Sequence, residues 1–168
     1  IWPSNKKTIN QKILLRKMKS AVFIDSNVWF SAFYKKGVCS KLLKNIKSLD
    51  WQVCVSELVL EEIIRNIQLK IPNALSFFTD YLKDNKIIVL KNPPTTHLLQ
   101  YGNLAEKHDL PILISALDYK CTYFITGNIK DFKINQIRNK FRLKVITPSD
   151  FLKLTIDKKR QIFYNKES

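Results

Sequence analysis

Short apolar runs recur along the chain and alternate with segments whose apolar residues return at helical spacing. The first run, at residues 21–24, is compact and β-prone, and it ends directly on Asp25. Such runs are typical of strands buried on both faces of a sheet. The pattern predicts five strands, at residues 21–24, 51–55, 86–90, 122–126 and 145–146.

The segments between these runs predict helices. Ser56 is suited to cap a helix whose apolar residues recur at helical spacing, and Ser40 is suited to cap an earlier one. Pro111 and Pro148 suit the first turn of later helices. Strands that alternate with helices predict an α/β three-layer sandwich, with a central parallel sheet of about four or five strands flanked by helices. Ligands of such sheets bind outside the carboxyl ends of the strands.

Length and charge narrow the picture. The 168 residues suit one domain, which we place at residues 21–155 between a basic N-terminal extension or remnant, 1–20, and a basic C-terminal tail, 156–168. A net charge of +15 favours nucleic acid, an anionic membrane surface or an acidic protein as partner, although a lysine-rich solvated surface would give the same balance. No apolar run approaches the roughly 18 residues of a membrane span.

Cysteine and glycine usage excludes several classes of protein. The three cysteines have no disulfide-framework spacing and include no C-x-x-C pair, so we expect free thiols in a reducing cytoplasm and no zinc site. Cys54 and Cys121 lie beside apolar runs and are predicted to be core residues. Only three glycines are present, none of them arranged as G-x-G-x-x-G, which excludes a dinucleotide-binding turn.

Acidic and amide residues follow the predicted strands. Asp25 ends the first strand, Glu62 lies early in the helix after the second, Asp109 precedes a helix, and Asn128 and Asp131 follow the fourth strand. Each has an ordinary structural interpretation, as a helix cap, a solvated helix residue or a turn residue. Together they place carboxylates at one sheet edge, where they repel one another unless a cation neutralises them. Oxygen ligands favour Mg²⁺ or Mn²⁺, which bind phosphate.

Five stretches stand out in order along the chain: FIDSNVW at 23–29, VSELVLEEI at 55–63, DLPILISAL at 109–117, YFITGNIKDF at 123–132 and VITPSDFL at 145–152. In their order and spacing they resemble a PIN domain, the fold of many toxin–antitoxin ribonucleases and RNA-processing nucleases. The resemblance covers most of the chain. It implies a metal-dependent endoribonuclease that uses Mg²⁺ or Mn²⁺ and leaves a 5′ phosphate and a 3′ hydroxyl.

The resemblance also assigns site residues. The metal-binding and catalytic acids of the family fall on Asp25, Glu62 and Asp109. The fourth acid falls on Asn128, which is a departure, and Asp131 is near enough to substitute for it. The residues implied to support the carboxylates are Ser26, Asn27 and Thr126.

The resemblance further implies partners. RNA is the expected substrate, and an antitoxin protein and a second copy of the chain are expected partners of a toxin-type relative. The lysines that we expect to grip RNA follow the first and fourth strands, and they are Lys35, Lys36, Lys130 and Lys133.

Two other functions stay open at this point. Asn128 in place of an acid would suit a weakly active or inactive module that binds RNA or a protein partner. A strand that ends in Asp also begins phosphatases of the haloacid-dehalogenase type. That family requires a second Asp two residues later, where this chain has Asn27, so the phosphatase is the more remote alternative.

Overall fold

A central parallel sheet of five strands, flanked by helices, confirms the predicted α/β three-layer sandwich. The structure, a computed structural model, describes residues 20–165, so nearly all of the predicted N-terminal extension lies outside the described residues. The strands lie in the order β3-β2-β1-β4-β5. Their bounds are β1 Ala21–Ile24, β2 Gln52–Ser56, β3 Ile88–Leu90, β4 Tyr123–Ile125 and β5 Lys144–Ile146.

Helices fill the connections between the strands. The α-helices are α1 Ser26–Tyr34, α2 Val38–Lys47, α3 Glu57–Lys70, α4 Leu75–Asp84, α5 Thr95–Leu98, α6 Leu110–Asp118, α7 Ile134–Lys140 and α8 Pro148–Tyr164. Short 3-10 turns occur at Pro72–Ala74, Leu99–Tyr101 and Ile129–Asp131. Ser56 caps α3 as predicted, because its side chain accepts a hydrogen bond from the backbone N–H of Val59.

The strand order sets the position of the site. The chain adds β2 and β3 on one side of β1 and then crosses to add β4 and β5 on the other side. The carboxyl ends of β1 and β4 are level, since Ile24 pairs with Ile125. The point at which the strand order reverses is where open α/β sheets bind their ligands. In this fold that point lies between the ends of β1 and β4.

A continuous apolar core holds these two strands in place. Phe23 of β1 and Phe124 of β4 stack with their ring centroids 5.0 Å apart. Trp29 of α1 is fully buried, and its indole N–H donates to the backbone oxygen of Ile24 at 3.1 Å. The helix that begins just after the central strand is therefore fixed both by packing and by a hydrogen bond to that strand.

The two cysteines that were predicted to be core residues are buried in the structure. Cys54 and Cys121 are buried, as predicted, and neither of them forms a disulfide. No helix within residues 20–165 is both long and apolar enough to cross a membrane.

One predicted helix cap differs from the structure, and one helix was not predicted. Ser40 does not begin α2; that helix begins at Val38, and the Ser40 hydroxyl accepts a hydrogen bond from the backbone N–H of Gly37 at 2.9 Å. The serine thus closes the first turn from inside the helix. The sequence also gave no indication of α7, Ile134–Lys140, because this short helix buries a single residue, Ile137, and lacks a periodic apolar face.

The last helix continues beyond residue 155, the predicted end of the domain. Residues 156–164 extend α8, so the basic segment after position 155 is helical as far as Tyr164. Lys159 donates to the side-chain oxygen of Asn45 on α2 at 2.7 Å. Lys158 lies over the ring of Trp51, 4.5 Å from its centroid. These contacts join the basic end of the helix to the rest of the domain.

Candidate active site

Asp25 lies at the centre of the carboxyl edge of the sheet. It follows β1 directly, its backbone N–H continues the pairing with β4 by donating to the oxygen of Ile125 at 3.0 Å, and it caps α1. Only 3% of the residue is exposed. A nearly buried carboxylate at the switch point of a parallel sheet is an unusual use of Asp, because an ionised group resists burial unless it is compensated.

Three donors compensate the Asp25 carboxylate. The backbone N–H of Ser26 donates to Oδ1 at 2.7 Å, which is the capping bond of α1. The hydroxyl of Thr126 and the side-chain amide of Asn27 donate to Oδ2 at 2.7 Å and 3.0 Å. The three predicted supporting residues therefore all contact Asp25, with Ser26 acting through its backbone. Capping alone would require only the first of these bonds.

Burial nevertheless raises the pKa of Asp25 above its usual value. Loss of water is the main cause, and the nearby charge of Glu62 adds to it, while the hydrogen bonds from Thr126, Ser26 and Asn27 act in the opposite direction. The donors thus favour the ionised form in a place where burial and a second acid oppose it. A positive charge placed near this carboxylate would stabilise its ionised form.

Asp109 is the second acid of the site. It occupies the N-cap position of α6, yet no capping bond from its side chain is found among the described residues. Partial burial, and then the charges of Asp25, Asp131 and Glu62, raise its pKa to about 6, while His108 lowers it. The helix-cap interpretation therefore does not account for this side chain. Its surroundings are dominated by other carboxylates.

Glu62 and its neighbour Glu61 differ in environment. Glu62 is half-buried on α3, and its charge raises the pKa of both Asp25 and Asp109. Glu61 is exposed and does not contribute to either of these shifts. Helical geometry explains the difference, since adjacent residues on a helix point about 100° apart. Glu62 is therefore close enough to Asp25 and Asp109 for its charge to act on both of them.

Two residues, Asn128 and Asp131, are candidates for the predicted fourth acid position. Asn128 is exposed, and its backbone N–H donates to the Thr126 hydroxyl at 3.1 Å. Asp131 is half-buried, and its charge contributes to the raised pKa of Asp109. The 3-10 turn Ile129–Asp131 brings this carboxylate back toward the site. The fourth negative charge near the sheet edge therefore comes from Asp131.

Gly127 has a role that the sequence did not indicate. Its backbone N–H donates to Oδ1 of Asn27 at 2.9 Å, and a Cβ at position 127 would lie only 3.2 Å from that oxygen. The same amide group donates through Nδ2 to Asp25. The glycine permits this close approach, and the Thr126-Gly127 step after a predicted strand was the only available signal.

The four predicted RNA-binding lysines separate into two pairs. Lys130 and Lys133 are exposed next to Asp131, at the acidic edge. Lys35 and Lys36 are also exposed, but they do not lie in a loop directly after β1. The nine residues of α1 intervene, which places this pair about 14 Å along the helix from Asp25 at 1.5 Å per residue.

The acids fit a divalent cation by charge and by donor type. Within residues 20–165 no three His, Cys, Asp or Glu side chains are close enough to form a ready ligand shell. Mg²⁺, however, is usually held by one or two carboxylates and keeps several of its waters. Four carboxylates that influence one another, with oxygen as the only donor atom, match that chemistry. Asp25 and Asp109 are the central candidates, with Glu62 and Asp131 beside them.

Comparison with known proteins agrees with this description. Residues 22–93 match the PIN domain family, and this span contains Asp25 and Glu62. The fold is similar to a chain in the crystal structure of VapBC2 from Rickettsia felis bound to a DNA fragment from their promoter, with a TM-score of 0.54 and 17% identity. That match covers 76% of this chain and 98% of the other. No curated protein matches the chain.

Proposed function

We propose that this protein is a PIN-type, metal-dependent endoribonuclease that hydrolyses RNA phosphodiester bonds. The proposal starts from the match of residues 22–93 to the PIN domain family and from the similar fold. Nuclease activity is general among PIN domains, and the divalent cation and the RNA substrate are the specific parts of the proposal. The single observation that carries it is the Asp25 carboxylate, 3% exposed and held by three donors, with Asp109 near it and two more acids, Glu62 and Asp131, whose charges act on Asp25 or Asp109.

The roles of the residues follow from their contacts. Asp25 and Asp109 would hold Mg²⁺ or Mn²⁺, and Glu62 and Asp131 would complete the negative site. The chemistry that such a cation supplies when bound is neutralisation of phosphate charge and activation of water for attack. Thr126 and Asn27 keep the Asp25 carboxylate in one orientation, so that the charge is in place before substrate arrives.

RNA as substrate is supported by charge. The chain carries 29 Lys and Arg residues against 14 Asp and Glu residues, so the acidic edge of the sheet belongs to a strongly basic protein. Lys130 and Lys133 adjoin the acidic edge and are exposed, which suits contacts to phosphates on either side of the cut. Lys35 and Lys36, one helix length away, suit phosphates further along the strand.

An antitoxin partner is part of the proposal. The similar structure from Rickettsia felis is VapBC2 bound to promoter DNA, and the sequence resembles toxin-type PIN domains. We therefore propose that this chain is the toxin of a toxin–antitoxin pair and that a protein partner covers the acidic edge. Asp25, Asp109 and Glu62 would attract a cationic side chain of such a partner as they would attract a metal ion.

Metal dependence and product chemistry test the proposal. Purified protein is incubated with labelled single-stranded RNA in Mn²⁺, in Mg²⁺ and in EDTA, and the product ends are identified by mass spectrometry. The proposal predicts cutting with either metal, none in EDTA, and a 5′ phosphate and 3′ hydroxyl at each cut. Cutting that persists in EDTA, or product ends with a 2′,3′-cyclic phosphate, would contradict metal-dependent hydrolysis.

One observation favours a second candidate, a module that binds RNA or a protein partner without cutting. An exposed Asn128 stands where the resemblance expects an acid, and no preassembled ligand shell occurs within residues 20–165. Calorimetric titration with Mn²⁺ separates the candidates. Micromolar binding that is lost in Asp25→Asn supports the nuclease, whereas RNA binding without metal binding supports the module.

A further inference from the structure

An open pocket of about 480 Å³ adjoins the acidic edge on the β4 side. Its wall begins at Ile129, one residue beyond Asn128, and continues into the first turn of α7. Asn128 donates to the Thr126 hydroxyl, which in turn donates to Asp25. Asp131, whose charge acts on Asp109, stands in the chain between the lining residues Lys130 and Phe132, so the pocket lies beside the segment that carries the fourth acid.

The wall of the pocket is fixed to the core. The backbone oxygen of Asp131 accepts from the N–H of Glu106 at 2.8 Å, and the N–H of Lys133 donates to the oxygen of Leu104 at 2.7 Å. Phe132 is 6% exposed and packs on Phe124 with a centroid distance of 5.0 Å. The ring of Phe132 thus forms part of the core, and the pocket has a defined shape without a ligand.

The lining combines three kinds of group. Ile129 and Ile134 provide apolar surface, exposed Asn135 and Gln136 provide side-chain amides, and Lys130 with Lys133 provides positive charge. A nucleotide of single-stranded RNA has the matching three parts, since its base has apolar faces and hydrogen-bonding edges and its phosphates are anionic. Amides of Asn and Gln pair in bidentate fashion with the edge of adenine.

We propose that this pocket holds one unstacked base of the RNA, next to the phosphate that is cut, and that Asn135 and Gln136 make adenine the preferred base. The proposal rests on the proposed ribonuclease function and adds a sequence preference to it. Lys130 and Lys133 contact the flanking phosphates and contribute affinity for any sequence. The amides supply the discrimination between bases.

Binding of fluorescently labelled homopolymers tests the pocket without any cutting. Oligo-A, oligo-C and oligo-U of equal length are titrated into the protein in EDTA, and fluorescence anisotropy gives each affinity. The wild type is expected to bind oligo-A about tenfold more tightly than oligo-U. The double variant Asn135→Ala with Gln136→Ala is expected to bind both equally. Its matched control, Gln161→Ala with Asn165→Ala, removes two exposed amides from α8 and its cap, and keeps the preference.

Equal affinity of the wild type for the three homopolymers would overturn the proposed base pocket. A preference for oligo-A that persists in the Asn135/Gln136 double variant would overturn it as well. Mapping of cut sites in Mn²⁺ on an RNA of mixed sequence is the second measurement. Cutting that shows no preference for sites near adenine would overturn the base pocket but would agree with the proposed nuclease. If the protein does not cut RNA but prefers oligo-A through the two amides, the proposed nuclease is overturned and the base pocket is supported.

Discussion

The backbone N–H of Gly127 donates to the side-chain oxygen of Asn27 at 2.9 Å, and this bond joins the segments that follow β4 and β1. The same Asn27 side chain donates to Asp25 at 3.0 Å and to the Thr126 hydroxyl at 3.3 Å. One amide group thereby coordinates both strand ends. The orientation of the central carboxylate depends on how closely the Gly127 backbone approaches.

We predict that Gly127→Ala lowers the rate of RNA cutting by about tenfold with little loss of fold stability. The added methyl carbon would lie 3.2 Å from Oδ1 of Asn27 and would shift the amide away from Asp25, and small misplacements at a reacting centre have large effects on rate. Single-turnover cutting and thermal unfolding are measured together. Gly37→Ala is the control, because a Cβ there would have no atom of residues 20–165 within 4 Å. Equal rates in the two variants would contradict the positioning role.

Thr126→Val is expected to shift the pH dependence of cutting. Its hydroxyl lowers the pKa of Asp25 by donating at 2.7 Å, so without it that pKa rises and the acidic limb of the pH–rate profile moves to higher pH. The free energy of unfolding should fall by about 1–2 kcal/mol for the lost buried bond. Thr155→Val is the matched control, since that buried hydroxyl donates to the backbone oxygen of Leu152 within α8. A pH profile unchanged from wild type would refute this role of Thr126.

Asp109 should make the metal-free fold less stable as pH rises. Its pKa is raised from 3.8 to about 6, so between about pH 4 and 6 the folded state holds more protons than the unfolded state, and stability falls across that window. In EDTA above pH 7, Asp109→Asn is expected to be more stable than wild type by about 1 kcal/mol, after allowance for partial exposure. Denaturant unfolding at pH 4 and pH 7.5 checks this. A stability difference that is the same at both values would contradict the account.

Glu62→Gln and Glu61→Gln should differ in metal affinity. Of these two glutamates, which are adjacent on α3, Glu62 is the one whose charge acts on Asp25 and Asp109. Glu62→Gln is expected to weaken Mn²⁺ binding by at least about tenfold, the loss typical even of groups that only support a metal ligand. Glu61→Gln should leave binding unchanged. Calorimetric titration with Mn²⁺ measures the affinity of both variants. An equal loss of affinity in the two would show that Mn²⁺ binding depends on net charge and not on the position of Glu62.

The parts of this site that the sequence predicts are those set by local pattern. A short apolar run that ends in Asp25 predicts a buried strand with its carboxylate at the edge, and the structure has that strand at Ala21–Ile24. Glu62 follows from helical periodicity after Ser56, because the cap fixes where the helix begins. These residues are specified by neighbours within a few positions of the chain.

The remaining parts depend on tertiary geometry. The approach of Gly127 to Asn27 spans 100 positions of sequence and leaves no periodic signal. The position of Asp131 close to Asp109 depends on the 3-10 turn Ile129–Asp131, which no apolar pattern marks. Lys35 and Lys36 lie away from the strand end because the nine residues of α1 separate them from Asp25, and a sequence pattern does not give the direction in which that helix runs.

Cutting of RNA by wild type and Asp25→Asn tests the central claim most directly. Labelled single-stranded RNA is incubated with each protein in Mn²⁺, with thermal unfolding measured beside it, and with Asp118→Asn as a carboxylate variant at the far end of α6. The account predicts cutting by the wild type and by Asp118→Asn, and loss of it in a folded Asp25→Asn. Undiminished cutting by a folded Asp25→Asn would contradict the assignment of the active site to the carboxyl edge of β1.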